Sequence, residues 1–144
     1  MKTINFAIDL GTTNSLIAYA KDGNVKVYKN PIGFRETLPS VVAFKKERII
    51  VGDKARELID QNVVDVVSHF KRKMGTDSTY WIGDLSDTLT PVDLSAYVLK
   101  ELKRFVNDQE FESVVITIPA SFDTVQSQAT MQAGYNAGFG EIVL

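Results

Sequence analysis

Ile8-Asp9-Leu10-Gly11-Thr12-Thr13-Asn14-Ser15 is the stretch whose reading decides the rest. An apolar run from Thr3 to Leu10 ends on the carboxylate of Asp9, and a second run from Ser15 to Ala20 follows the glycine and two hydroxyls. Two short apolar runs with a Gly-centred break between them predict a β-hairpin. A carboxylate at the end of a buried strand, followed by a glycine turn and two hydroxyls, gathers metal-directing charge and phosphate-facing donors in one tight loop. The same Asp-x-Gly-Thr also suits a plain hairpin turn, since Gly and Thr favour turns. Neither G-x-x-x-x-G-K-[ST] nor G-x-G-x-x-G occurs in the chain, so a phosphate site here belongs to another class.

Working outward, Lys21-Asp22-Gly23-Asn24 is a turn into Val25 to Lys29, a third strand that completes an antiparallel meander. Asn30 to Pro39, with two prolines and Gly33, reads as a loop. Ser40 to Phe44 and Ile49 to Gly52 form a hairpin around the solvated turn Lys45 to Arg48. Asp53 to Ile59 reads as a short helix with Asp53 as N-cap, and Val63 to Met74 as a second helical stretch closed by Gly75. Thr76 to Leu89 carries weak strand content.

Thr90-Pro91-Val92-Asp93 has the form of a capping box, opening a helix to about Asn107 with Leu94, Val98, Leu102 and Phe105 on one face. Ser113 to Ile118 is a β-branched run, hence a buried strand. Asp123 to Gln126 caps a helix whose Val125, Ala129, Ala133 and Ala137 imply close packing on a sheet, and Glu141 to Leu144 begins another strand. The order predicts an α/β layered fold with a mixed sheet.

Composition narrows the function. With 16 Lys+Arg against 18 Asp+Glu, the 144 residues carry a net charge of −2, which argues against an electrostatic nucleic-acid binder. The absence of cysteine removes disulfides, thiolate zinc sites, iron–sulfur ligation and thiol nucleophiles, and one histidine cannot build a metal cage. His69 reads as a surface side chain beside Phe70, and Tyr80-Trp81 as a small packing cluster. No apolar stretch approaches the roughly 20 residues that span a bilayer. Met1 to Leu10 lacks a signal-peptide core, so a cytoplasmic setting without membrane or nucleic-acid partners is expected.

Three separated blocks then resemble the seventy-kilodalton heat-shock chaperones of the DnaK type, members of the actin-like ATPase (ribonuclease H-like) fold. They are Ile8 to Ser15; Phe70-Lys71-Arg72 with Gly75; and Val115 to Asp123 with Gln126, Ala129-Thr130 and Ala133-Gly134. Gly33, Arg35 and Pro39-Ser40-Val41 add a fourth similarity. The resemblance implies ATP or ADP with Mg²⁺ as cofactors, in an ATPase that serves unfolded client proteins and co-chaperones. It implies that Asp9 directs the magnesium shell through water, that Gly11, Thr12, Thr13 and Asn14 hold the phosphates, and that Lys71 is catalytic, facing the γ-phosphate. Without the resemblance, Lys71, Arg72 and Lys73 read first as a solvated helix end without any catalysis.

The resemblance further implies that 1–144 is an N-terminal lobe fragment, with about 53–112 a shortened outer subdomain inserted in it. The second phosphate loop, the water-positioning acids and the adenosine pocket of a typical member lie beyond such a segment, so the isolated chain is expected to hydrolyse ATP negligibly. Ser127 and Ser121 depart from the family's arginine and tyrosine, which leaves coupling to a substrate domain open. Three other readings stand beside this one: an actin-like bacterial filament protein, a sugar kinase of the same superfamily, and a non-catalytic interaction module.

Overall fold

The computed structural model describes residues 3–61 and 65–144. The meander forms as its turns dictate: β1 (Phe6–Asp9), β2 (Asn14–Lys21) and β3 (Asn24–Val27) are antiparallel, with Ile8 opposite Ile17 and Ala20 opposite Val25. Asp22 and Gly23 both take positive φ, 52° and 79°, as a two-residue turn with the twist of the strands requires. The loop expected from Asn30 to Pro39 differs at its end, where β4 (Leu38–Pro39) pairs with the start of β2.

A second, three-stranded sheet is built from β5 (Val41–Lys45), β6 (Arg48–Val51) and β7 (Asp65–Ser68), with β5 in the middle. Its tight turn places Lys46 and Glu47 at φ 51° and 64°. Their N–H groups donate to the Asp84 carboxylate at 3.1 and 2.9 Å, which compensates this left-handed turn.

Strand β7 and a 3₁₀ turn stand in place of the helix expected over 63–74; Val63 and Val64 lie outside the described residues. The reason is alternation: Val66 joins the small cluster of Val41, Ala43 and Ala55, while Val67 packs against the main core, a period of two that only a strand satisfies. His69 then turns the chain at φ 59° into a 3₁₀ turn, Phe70–Lys73. Before it, α1 (Asp53–Glu57) is shorter than expected, and Gly52 rather than Asp53 is its N-cap. The Asp53 carboxylate is instead taken by Arg35 and Arg56 at 3.1 and 3.3 Å.

Thr76 to Leu89 contains a separate hairpin, β8 (Tyr80–Ile82) and β9 (Asp87–Leu89). Tyr80 packs against the core, whereas Trp81 is 64% exposed and does not join a packing cluster.

Helix α2 (Pro91–Phe105) begins with the full capping box: Asp93 N–H donates to Thr90 Oγ1 and Thr90 N–H to Asp93 Oδ2. Leu94, Val98, Leu102 and Phe105 are buried, as their spacing predicts, and Leu99 joins them. Removing the cap with Thr90→Ala is expected to cost about 1 kcal/mol, read as a lowered urea midpoint at unchanged slope.

Strand β10 (Ser113–Thr117) runs parallel to β1, and α3 (Thr124–Asn136) returns the chain to β11 (Glu141–Val143), parallel to β10. The main sheet therefore reads β11-β10-β1-β2-β3, a mixed sheet as expected. Close packing of α3 resides in Thr130, Ala133, Gly134 and the flanking Ala137, while Val125 is 56% exposed. A Cβ at Gly134 would stand 2.3 Å from Ile142 Cδ1 and 3.3 Å from Ile116 Cδ1, so the helix lies directly on β10 and β11. No described helix is long and apolar enough to cross a membrane.

Candidate functional site

Parallel pairing of β1 with β10 brings the ends of two strands, Asp9 and Thr117, side by side. Thr117 Oγ1 donates to Asp9 Oδ1 at 3.0 Å, which fixes one carboxylate oxygen. Asp9 is otherwise exposed at the strand end, so its second oxygen faces solvent.

Beyond Leu10 the chain turns within Gly11–Asn14. A Cβ on Gly11 would lie 2.0 Å from the Asn14 carbonyl oxygen, so only glycine permits the turn to close this tightly. The turn is anchored from inside by two buried hydroxyls: Gly11 N–H donates to Ser15 Oγ at 3.1 Å, and Ser40 Oγ donates to the Gly11 carbonyl at 2.8 Å. The two hydroxyls are themselves 2.8 Å apart, and Ser40 N–H donates to the Thr13 carbonyl at 2.8 Å. Among the described residues, neither Thr12 nor Thr13 N–H donates to a backbone carbonyl.

Lys71 arrives from the 3₁₀ turn, where Phe70 is buried at 1% exposure and orients the following side chain. Lys71 Nζ donates to the Leu10 carbonyl, and the Phe122 ring centre is 5.7 Å away. Burial pushes the ammonium below the ordinary lysine range, with the nearby Asp9 carboxylate opposing that shift. Lys71 therefore is not a solvated helix-end charge: its side chain is half-buried and aimed at the strand end. Arg72 and Lys73 are exposed.

Of the residues singled out from sequence, Asp9, Gly11, Thr12, Thr13, Asn14 and Lys71 all lie at or just beyond the end of the central strand β1. His69 does not join them; it is exposed, with Nδ1 3.1 Å from Ser68 Oγ. Sequence reasoning gave Ser40, Thr117 and Phe122 no role here. The signal for Ser40 was its place between Pro39 and four buried residues, where an uncharged hydroxyl needs a partner.

The donor set suits a polyphosphate and its cation. Gly11 lets the turn close tightly, the Thr12 and Thr13 amides and hydroxyls are compact hydrogen-bond donors, and Lys71 supplies positive charge. A single held carboxylate suits Mg²⁺, which retains most of its waters and takes few protein ligands.

The Hsp70 protein family model matches residues 5–83 and 79–143. Chaperone protein DnaK of Thermosipho africanus (strain TCF52B) is 46% identical over 137 residues, covering 92% of this chain and 22% of the relative. Chaperone protein DnaK of Mycoplasmopsis agalactiae is 41% identical over 140 residues, covering 95% and 23%. The DnaK of Thermotoga maritima is 47% identical over 139 residues, covering 91% and 22%. The chain thus spans about 22% of the length of these curated relatives.

Proposed function

The chain belongs to the Hsp70 family, and we propose that within a full-length, DnaK-like molecular chaperone it supplies the first phosphate loop and the catalytic lysine of an ATPase. The family carries the actin-like ATPase fold, and the mixed sheet with its N-terminal meander agrees with it. The observation that carries the site assignment is the convergence of Lys71 Nζ, the Asp9 carboxylate and the Gly11 turn on one strand end.

In this reading the amides and hydroxyls of Thr12 and Thr13, with Asn14 extending the loop, bind the β- and γ-phosphates of ATP. Asp9 orients the magnesium shell through water, its rotamer held by Thr117. When bound, Mg²⁺ offsets charge on the transferred phosphoryl group. Lys71 stabilises the negative charge that grows as the γ-phosphate leaves, from a half-buried position where that charge is less screened than at the surface. The Leu10 carbonyl holds the ammonium in place beforehand, so little reorganisation is needed during the reaction.

The same proposal includes the outer subdomain over about 53–112, a cytoplasmic location, and clients and co-chaperones that meet the full-length protein. Taken alone, the chain presents one side of a nucleotide site and is expected to show weak or no nucleotide binding by calorimetry.

Asp9→Asn in the full-length protein tests the site. Asparagine keeps the shape and loses the charge, so single-turnover hydrolysis is expected to slow and to need a higher magnesium concentration for half-maximal rate. An unchanged rate and magnesium dependence would remove Asp9 from the site, whereas a parent that does not hydrolyse ATP would favour a non-catalytic interaction module.

A further inference from the structure

We infer that Ser40 is a positioning residue for the phosphate loop, holding two peptide planes of the Gly11–Asn14 turn so that their N–H groups face one anion; this rests on the phosphate-loop reading above. Ser40 reaches the loop from the junction of β4 and β5, outside the loop's own sequence, and is 2% exposed.

The hydrogen-bond directions are determined by donor count. Gly11 N–H must donate to Ser15 Oγ, and the Gly11 carbonyl must accept from Ser40 Oγ. Ser40 has one hydroxyl proton, so the 2.8 Å contact between the two hydroxyls is a donation from Ser15 to Ser40. The result is a closed circuit in which each hydroxyl gives one bond and accepts one. Ser40 N–H adds a bond to the Thr13 carbonyl.

A trans peptide points its C=O and N–H in opposite directions. The Gly11 and Thr13 carbonyls both face Ser40, so the N–H groups of Thr12 and Asn14, which share those peptide planes, face away from it. Asn14 is exposed and Thr12 partly so, which leaves these N–H groups open to a ligand. Ser40 does not touch the anion; it sets the angle at which the loop meets it.

The test compares Ser40→Ala, Ser40→Thr, Ser15→Ala and the double alanine variant in the full-length protein, with Lys71→Ala as control. The measurements are single-turnover ATP hydrolysis, affinity for Mg·ADP and for adenosine, and melting without nucleotide. A loop displaced by about 1 Å costs about 10²-fold in rate, and Ser40→Ala is expected to lose on that scale. Its Mg·ADP affinity should fall while its adenosine affinity does not, since adenosine never reaches the loop. Ser40→Thr restores the hydroxyl and should recover most of the rate. Ser15→Ala keeps both carbonyls seated and should cost less, and the double variant should match Ser40→Ala within about twofold because Ser15 acts on those carbonyls only through Ser40. Where Ser40→Ala melts below the assay temperature, the Ser15→Ala and Ser40→Thr rates decide. The inference is overturned by hydrolysis of Ser40→Ala at the parental rate while Lys71→Ala is slow. It is also overturned if ADP and adenosine affinities drop together in proportion to lost stability. Parental hydrolysis by Lys71→Ala as well would instead overturn the phosphate-loop reading itself.

Discussion

Lys71→Ala in the full-length protein is expected to slow hydrolysis of bound ATP by about 10²–10³-fold, equivalent to about 2.7–4 kcal/mol, with a much smaller change in ATP affinity. The asymmetry follows from what the side chain does. In the proposed site the ground-state phosphates are held by many groups along the Gly11–Asn14 turn, so losing one cation would remove a small share of the binding. In the transition state, charge accumulates on the departing phosphoryl group, and a fixed ammonium beside it has no mobile substitute. Lys71 is fixed on three sides: by the buried Phe70 that precedes it, by the Leu10 carbonyl and by the Phe122 ring. Water filling the space left by alanine would have to reorganise during the reaction. Lys71→Arg should not restore the rate, because a planar guanidinium cannot reproduce a single compact charge at that point.

Gly11→Ala is the second large effect. The obstacle to an added Cβ is the Asn14 carbonyl oxygen at 2.0 Å, a backbone atom that belongs to the same turn. A flexible side chain could swing away; this backbone oxygen faces a glycine whose own N–H and carbonyl are held by Ser15 and Ser40, so relieving the clash strains those bonds. Strain of this kind costs about 1–3 kcal/mol, seen as a lowered melting temperature. ATP affinity should fall by about tenfold or more as the amides leave their common aim, each 1.4 kcal/mol being a factor of ten. A variant with parental affinity would show that the tight turn is not what binds phosphate.

The legible parts of the fold were those with local chemistry. Both capping boxes, Thr90 to Asp93 and Asp123 to Gln126, are present as hydrogen-bonded pairs because all four partners lie within one helical turn. The Asp-Gly turn and the apolar face of α2 are local in the same sense. Val63 to Met74 reads as a helix from sequence because Val66 and Val67 are compatible with either period until the partner strand is known; pairing of β7 with β5 decides it. Gly52 took the cap expected of Asp53 because Arg35, 18 residues earlier, claims that carboxylate. In the site, Asp9 and Gly11 stood out because carboxylate, glycine and hydroxyls are contiguous. Ser40 is 25 residues from Ser15 and Thr117 is 108 from Asp9, and only the strand pairing brings each to its partner. The role proposed for Lys71 rests on resemblance, since a Lys-Arg-Lys run at the end of a turn has no feature that distinguishes one half-buried member from two exposed ones.

The most direct measurement of the central claim, that the Gly11–Asn14 turn holds the phosphate end of a nucleotide, is a comparison of amide resonances in the full-length protein with Mg·ADP and with adenosine. Mg·ADP is expected to shift the Gly11, Thr12, Thr13 and Asn14 amides strongly, and adenosine at matched occupancy to leave them in place. Equal shifts from both ligands, or Mg·ADP shifts that spare these four amides, would contradict the account.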